Sequence, residues 1–155
     1  MKLTSDILKE AKQASLTVNR LSTEVKNAAL EEMAKALLLA QKEILEENEK
    51  DLEAAKGSIS DVMLDRLRLT PERIEGMASG IRALIALPDP VGRVLEEVRR
   101  ENGLVIRKVS CPLGVVGIIY ESRPNVTSDA ASLCFKAGNA VLLRGGKEAY
   151  RSNVA

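Results

Sequence analysis

Two continuous apolar runs, Val115-Val116-Gly117-Ile118-Ile119-Tyr120 and Ala140-Val141-Leu142-Leu143, constrain the fold of this chain more than any other feature. Neither alternates polar with apolar, and an unbroken apolar run is how a strand buried on both faces of a parallel sheet reads. Between the runs, Glu121 to Asn125 is polar and contains Pro124, so it is a loop. Val126, Ala130, Leu133, Cys134 and Ala137 then fall on one helical stripe, closed by Gly138-Asn139. The spacing predicts a strand–helix–strand unit of about 30 residues, the size of one right-handed crossover. Two parallel strands do not make a stable domain. The expectation is a truncated piece of a longer α/β protein, stopping at Ala155 inside what reads as the next helix.

The first half reads as helix. Ser22 is placed to cap an amino terminus, with Glu24 in the first turn where the helix dipole favours a carboxylate. Leu30, Met33, Ala34, Leu37, Ile44 and Leu45 follow at helical spacing, as if on one helix. Asn48 to Lys56 reads as a shorter charged continuation ending near Gly57, and Ser60 to Leu67 as a further short helix. Thr70-Pro71 is a clear start signal, a cap followed by Pro at the first helical position. Ile74, Met77, Ala78, Ile81, Leu84 and Ile85 form the stripe behind it, and Pro88-Asp89-Pro90 ends it. Gly76 and Gly80 weaken this helix by about 1 kcal/mol each relative to Ala, so packing must hold it.

From Val94 the pattern changes. Val94 to Arg100 and Leu104 to Val109 flank Glu101-Asn102-Gly103, and Asn-Gly is a strong tight-turn signal. The arms predict an antiparallel hairpin with charged residues on one side. Such a ribbon exposes strand edges, so it is read either as a subunit contact or as a charged surface feature.

Composition removes several classes of function. Lys plus Arg is 23 and Asp plus Glu is 22, a balance that argues against a nucleic-acid or membrane-surface binder. With aromatic residues at 2%, a base-stacking surface is hard to build. No apolar run approaches a membrane span, and the stretch from Met1 to Asp6 lacks the apolar core of a secretory signal. The chain has no His, and neither Cys111 nor Cys134 has metal-ligand spacing around it, so no metal is expected. Two cysteines without a disulfide framework point to the reducing cytoplasm.

Ligands of open α/β sheets bind beyond the carboxyl ends of the strands. Here those ends are Glu121-Ser122-Arg123-Pro124-Asn125 and Arg144-Gly145-Gly146-Lys147. With the strands adjacent, Arg123, Arg144 and Lys147 converge on one rim, and the helices that follow add N–H donors. Gly145 and Gly146 would let a ligand approach the backbone. This favours an anion carrying phosphate or carboxylate, against the plainer reading of solvated loop cations and a simple turn. The glycine fingerprints of dinucleotide and P-loop sites are absent. Cys134 reads as small core filler, and Cys111, before Pro112, has no base beside it; neither reads as an activated thiol.

These motifs resemble the γ-glutamyl phosphate reductase family. The resemblance lies in Val62-Met63-Leu64-Asp65-Arg66-Leu67 with Leu69-Thr70, Asp89-Pro90-Val91-Gly92, the run from Pro112 to Thr127, and Gly138 to Glu148. It covers essentially the whole chain. It implies the aldehyde dehydrogenase-like α/β fold: a helical amino-terminal region over residues 1–90, an oligomerisation hairpin over 91–112, and the first strand–helix–strand of a Rossmann-like cofactor domain over 113–155. It also implies NADPH-dependent reduction of L-glutamyl 5-phosphate in proline biosynthesis, through a cysteine thiolate that attacks the acyl phosphate. That cysteine and the catalytic domain lie beyond residue 155, so no catalytic residue is expected here and the chain alone should be inactive.

Carried over by position, Arg144 matches a ribose-contacting place, with Gly145, Gly146 and Lys147 beside it; an extra cation suits the 2′-phosphate of NADP. Ile119, Tyr120, Glu121 and Ser122 match the stretch passing the nicotinamide toward the reacting carbon. Either Ser122 or Asn125 could donate to the oxyanion, and Arg123 could meet the substrate's phosphate or carboxylate. Two alternatives stand beside this. One is the reductase part of a bifunctional pyrroline-carboxylate synthase, against which the start at Met1 argues. The other is a non-catalytic helical assembly module.

Overall fold

The computed structural model describes residues 3–155, so Met1 and Lys2 of the amino-terminal stretch lie outside it. Five helices lead: α1 (Thr4–Val18), α2 (Thr23–Leu39), α3 (Gln41–Ala55), α4 (Asp61–Leu67) and α5 (Pro71–Ala86). They are followed by β1 (Val94–Arg99), β2 (Val105–Val109), β3 (Val115–Ile119), α6 (Asn125–Lys136), β4 (Ala140–Arg144), a 3₁₀ turn (Lys147–Ala149) and α7 (Tyr150–Val154). No helix among the described residues is long and apolar enough to cross a membrane.

Local chemistry sets the starts of three helices. The Ser22, Ser60 and Thr70 hydroxyls accept from the N–H groups of Val25, Met63 and Arg73. Each bond satisfies one amide that a helix start leaves free. Helix α1 was not singled out in the sequence reading; it packs on β4 and β3 and buries Ser15 alone.

The single helix expected from Ser22 to Leu45 is two. Ala40 leaves helical geometry (φ −83°, ψ 1°) and serves as both the last cap of α2 and the first of α3. The bend lets one apolar stripe serve two clusters. Leu30 and Ala34 pack on Ala78 and Ile81 of α5, whereas Ile44 packs on Leu69, Ile74 and Met77. Leu39, at the bend, is 86% exposed.

Strands β1 and β2 pair antiparallel, with Glu97 opposite Arg107, Val98 opposite Ile106, and an irregularity between Val94 and Glu96. The charges do not keep to one side as expected. Glu96 faces Lys108 and Glu97 faces Arg107 in the register, and successive residues of a strand point to opposite faces. Both faces are therefore mixed. Among the described residues the hairpin joins no other strand.

Strands β3 and β4 pair in parallel from Val115↔Ala140 to Ile119↔Arg144. The full burial expected from their apolar runs is not reached: Gly117, Ile119 (82% exposed) and Arg144 are exposed, and the other strand residues are half-buried. Among the described residues each strand has a single partner, so the outer edges and the tip stay open. The stripe on α6 is also corrected. Leu133 points outward, and the buried face holds Ser128, Ala130, Ser132 and Lys136. Ser128 and Ser132 donate to the carbonyls of Asn125 and Ser128, so their hydroxyls are satisfied inside the helix.

Two buried polar networks tie the layers together. Lys26, on the Leu30–Ala34 face of α2, pairs with Asp89 at 2.5 Å and donates to the Lys136 carbonyl at 3.2 Å. Asn48 of α3 donates to Leu67 O at 2.9 Å and to Ser152 Oγ at 3.0 Å, and accepts from Leu69 N–H at 2.8 Å. Ser152 in turn donates its N–H and hydroxyl to Asp51 at 2.8 and 2.7 Å. The segment after β4 is thereby fastened to α3, with Ala149 fully buried against Leu52, Ala55 and Leu67. That anchoring sets where Arg144 to Lys147 sit.

Candidate functional site

The site is built from the two loops at the carboxyl ends of β3 and β4. Tyr120 N–H donates to Arg144 O at 3.0 Å, extending the pairing one residue past β3. The Tyr120 hydroxyl lies 2.6 Å from Thr127 Oγ1, which donates to Asn153 Oδ1 at 2.9 Å. The threonine proton is spent on Asn153, so Tyr120 is the donor. Ser122 is buried, and its hydroxyl donates to Glu148 Oε2 at 3.0 Å. The Glu148 carboxyl is held below its ordinary value, first by its own backbone N–H and then by Ser122. The two loops are thus pinned to each other.

The glycines have a reason that the sequence did not reveal. A Cβ on Gly145 would lie 2.3 Å from Asn153 Nδ2 and 3.1 Å from the Tyr120 ring. One on Gly146 would lie 2.8 Å from Ser122 Oγ. The room expected there for a ligand is taken, on the Cβ side, by the chain's own side chains. Ser122 as an oxyanion donor faces a similar demand, because its hydroxyl is engaged with Glu148. Asn125 donates to Asp129 Oδ2 at 3.2 Å.

Arg123, Arg144 and Lys147 are exposed, and none makes a side-chain hydrogen bond or salt bridge to the described residues. They do not share one cavity. Arg123 and Asn125 line a cavity of about 400 Å³ with Arg66, Arg68, Arg73 and Asp129. Lys147 and Glu148 line another, of about 460 Å³, against Asp51 and Arg151. Arg144 sits opposite the exposed Ile119 at the sheet's tip. Glu121 is exposed on the same rim.

The arginines of α4 and α5 were missed as site residues. Their signal was Asp65-Arg66-Leu67-Arg68-Leu69, in which Leu67 and Leu69 are buried while Asp65, Arg66 and Arg68 face out. Arg73 is committed to the chain: it donates to Asp65 O at 2.5 Å and Arg68 O at 2.6 Å, and pairs with the Asp65 carboxylate at 3.1 Å.

The cysteines stand as follows. Cys111 is exposed and Cys134 half-buried, and burial pushes the Cys134 thiol up. That is the opposite of what activates a nucleophile.

No protein-family model matches the chain. The γ-glutamyl phosphate reductase of Streptococcus gordonii is 58% identical over 155 residues, covering 100% of this chain and 37% of that protein. The crystal structure of γ-glutamyl phosphate reductase from Thermotoga maritima superposes with a TM-score of 0.91 at 42% identity, over 94% of this chain and 36% of that one. A probable aldehyde dehydrogenase of Listeria monocytogenes, at 12% identity and a TM-score of 0.69 over 96% of this chain and 30% of that one, shares the fold. The chain spans little more than a third of the length of the reductases it matches. In sequence along all of its residues, and in its aldehyde dehydrogenase-like fold, it belongs with the γ-glutamyl phosphate reductases.

Proposed function

We propose that this chain is part of an enzyme that reduces L-glutamyl 5-phosphate to L-glutamate 5-semialdehyde and phosphate, with NADPH, in cytoplasmic proline biosynthesis. The observation that carries the reading is the 58% identity maintained over all 155 residues to a protein named for that activity. Reduction of an acyl phosphate through a thiolate releases phosphate on forming the thioester; hydride addition to the thioester carbon, with cleavage of its carbon–sulfur bond, would then leave the aldehyde and return the thiolate. The nucleophile for this lies outside residues 1–155. We therefore infer that the chain by itself does not turn over.

The rim suits a dinucleotide in its chemistry. Arg144 and Lys147 offer exposed cations with no salt bridge, and Ile119, 82% exposed beside Arg144 in the register, offers apolar surface. Arg144 and Lys147 would hold the phosphates and ribose, with Ile119, Tyr120 and Glu121 toward the nicotinamide end. When bound, the reduced nicotinamide supplies the hydride. The chain's own part is to fix the two loops against each other through Tyr120–Thr127–Asn153 and Ser122–Glu148, so that the rim keeps its shape. Donors held rigidly cost little reorganisation during reaction.

The hairpin reads as the contact between subunits. It joins no other strand among the described residues and exposes Val94, Leu95, Val105, Ile106 and Val109, surface that a partner strand would cover.

The test is an assay in the reverse direction, with glutamate semialdehyde, phosphate and either NADP or NAD, on the protein at the length of its relatives and on residues 1–155. Activity in the longer protein alone, with NADP preferred, is the expected result. Activity of residues 1–155 would place the nucleophile among their cysteines, and inactivity of both would remove the reductase reading.

A further inference from the structure

The cavity of about 400 Å³ between the α4–α5 corner and the start of α6 carries an unusual charge inventory. Of its four guanidinium groups, Arg73 is spent on Asp65 and on two backbone carbonyls. Arg66, Arg68 and Arg123 make no side-chain hydrogen bond or salt bridge to the described residues. Two carboxylates also line the cavity: Asp65, which is paired with Arg73, and Asp129, which accepts from the neutral Asn125 amide and pairs with no cation of the described residues. Like charges gathered around one concave space repel, and an anion entering it relieves all three at once. The planar fork of Arg matches a carboxylate in two parallel hydrogen bonds. A simple anion would leave Asp129 facing a second negative charge. A ligand with a carboxylate and a neighbouring ammonium satisfies both signs.

We propose that this cavity binds the α-amino-acid end of the substrate, with Arg66, Arg68 and Arg123 taking the α-carboxylate and Asp129 the α-ammonium. The proposal deepens the function proposed above and rests on it for the identity of the amino acid. It also gives the loop after β3 two tasks. Arg123 and Asn125 face this cavity, while Ile119 to Glu121 lie on the rim assigned to the cofactor. One loop would thereby set the distance between the amino-acid head and the reacting end. Such positioning converts binding energy into orientation.

Nuclear magnetic resonance of the arginine side-chain N–H groups can test this without turnover. The chain is titrated with L-glutamate, with glutarate (the same two carboxylates without the ammonium) and with inorganic phosphate. Saturable shifts with glutamate at Arg66, Arg68 and Arg123 are expected, with glutarate and phosphate weaker by about tenfold or more, the usual worth of a charge-assisted hydrogen bond. Arg123→Gln and Arg68→Gln, both at exposed positions, should weaken glutamate about tenfold. Asp129→Asn should remove the preference for glutamate over glutarate, weakening glutamate and, with the opposing negative charge gone, strengthening glutarate. Equal binding of glutarate or phosphate would reduce the cavity to a plain anion site, and no saturable shift at these arginines would overturn the proposal. The comparison of ligands on the unaltered chain needs no variant to fold. Glutamate preference in a protein whose full-length form lacks reductase activity would sink the reaction but keep the cavity. Reductase activity without that preference would do the reverse.

Discussion

Lys26 and Asp89 meet at 2.5 Å across the junction of α2 with the segment that follows α5, and the lysine side chain is 1% exposed. Thr23 Oγ1 donates to the same carboxylate oxygen at 2.8 Å, and Val91 N–H to the other at 2.9 Å. Burial pushes the Asp89 carboxyl up, but Lys26, the Val91 amide and Thr23 outweigh it and hold the group below its ordinary value. The pair closes the end of α5 onto α2, just before the hairpin leaves the body.

A carboxyl whose folded value is depressed contributes stability above its unfolded value, near 3.9, and loses it as pH falls through the folded value. Asp89→Asn should therefore destabilise the chain at pH 7, by about 3 kcal/mol, because it leaves a buried ammonium unpaired. The gap from the unaltered chain should begin to narrow near pH 4, where the unfolded carboxyl takes up its proton, and should close only below the depressed value of folded Asp89. Thermal unfolding of both from pH 7 to pH 3 checks this; a gap that stays constant with pH would show that charge is not the cause.

Two glycines should respond oppositely to alanine. A Cβ at Gly80, exposed inside α5, meets nothing within 4 Å, so Gly80→Ala should stabilise by about 0.5–1 kcal/mol. Gly145→Ala forces Asn153 and the Tyr120 ring to move and should cost about 1–3 kcal/mol. Urea unfolding of the pair decides it, and a neutral Gly145→Ala would mean that the two loops are not pinned as described.

The cysteines should separate chemically. At pH 8 iodoacetamide should modify the exposed Cys111 well before the half-buried Cys134, whose thiol burial raises. Mass spectrometry of the alkylated chain over time reads the order. Faster modification of Cys134 would contradict its role as filler, and in the complete enzyme Cys134→Ser should leave the chemical step intact.

In the complete enzyme, Arg144→Ala should raise the KM for the nicotinamide cofactor about tenfold with little change in kcat. A ribose or phosphate contact is shared by ground and transition states, so its loss weakens binding more than chemistry. Steady-state kinetics in both cofactors separates the two, and an unchanged KM would take Arg144 out of the site.

Features set by neighbours in sequence were legible from the residues alone. The Thr70-Pro71 start of α5, the cap at Ser22, the Asn-Gly turn and the strand–helix–strand order depend on short-range hydrogen bonding and periodicity. What depended on distant partners was not. The bend at Ala40 exists because α2 and α3 must reach two clusters on and before α5, and Leu133 faces out because Ser128, Ser132 and Lys136 fill the inner face of α6. Lys26 sits at helical spacing with Leu30 and Ala34, a hint that it is buried, but only folding brings Asp89 to it. The rim was foreseen as one cluster of three cations. Register does set Arg144 at the tip beside β3, yet the packing of α4 and α5 draws Arg123 toward Arg66 and Arg68, while α3 draws the Lys147 turn into a separate cavity. The residues that can meet an anion were written in the chain; which of them share one space was decided by helices whose positions depend on burial far along the chain.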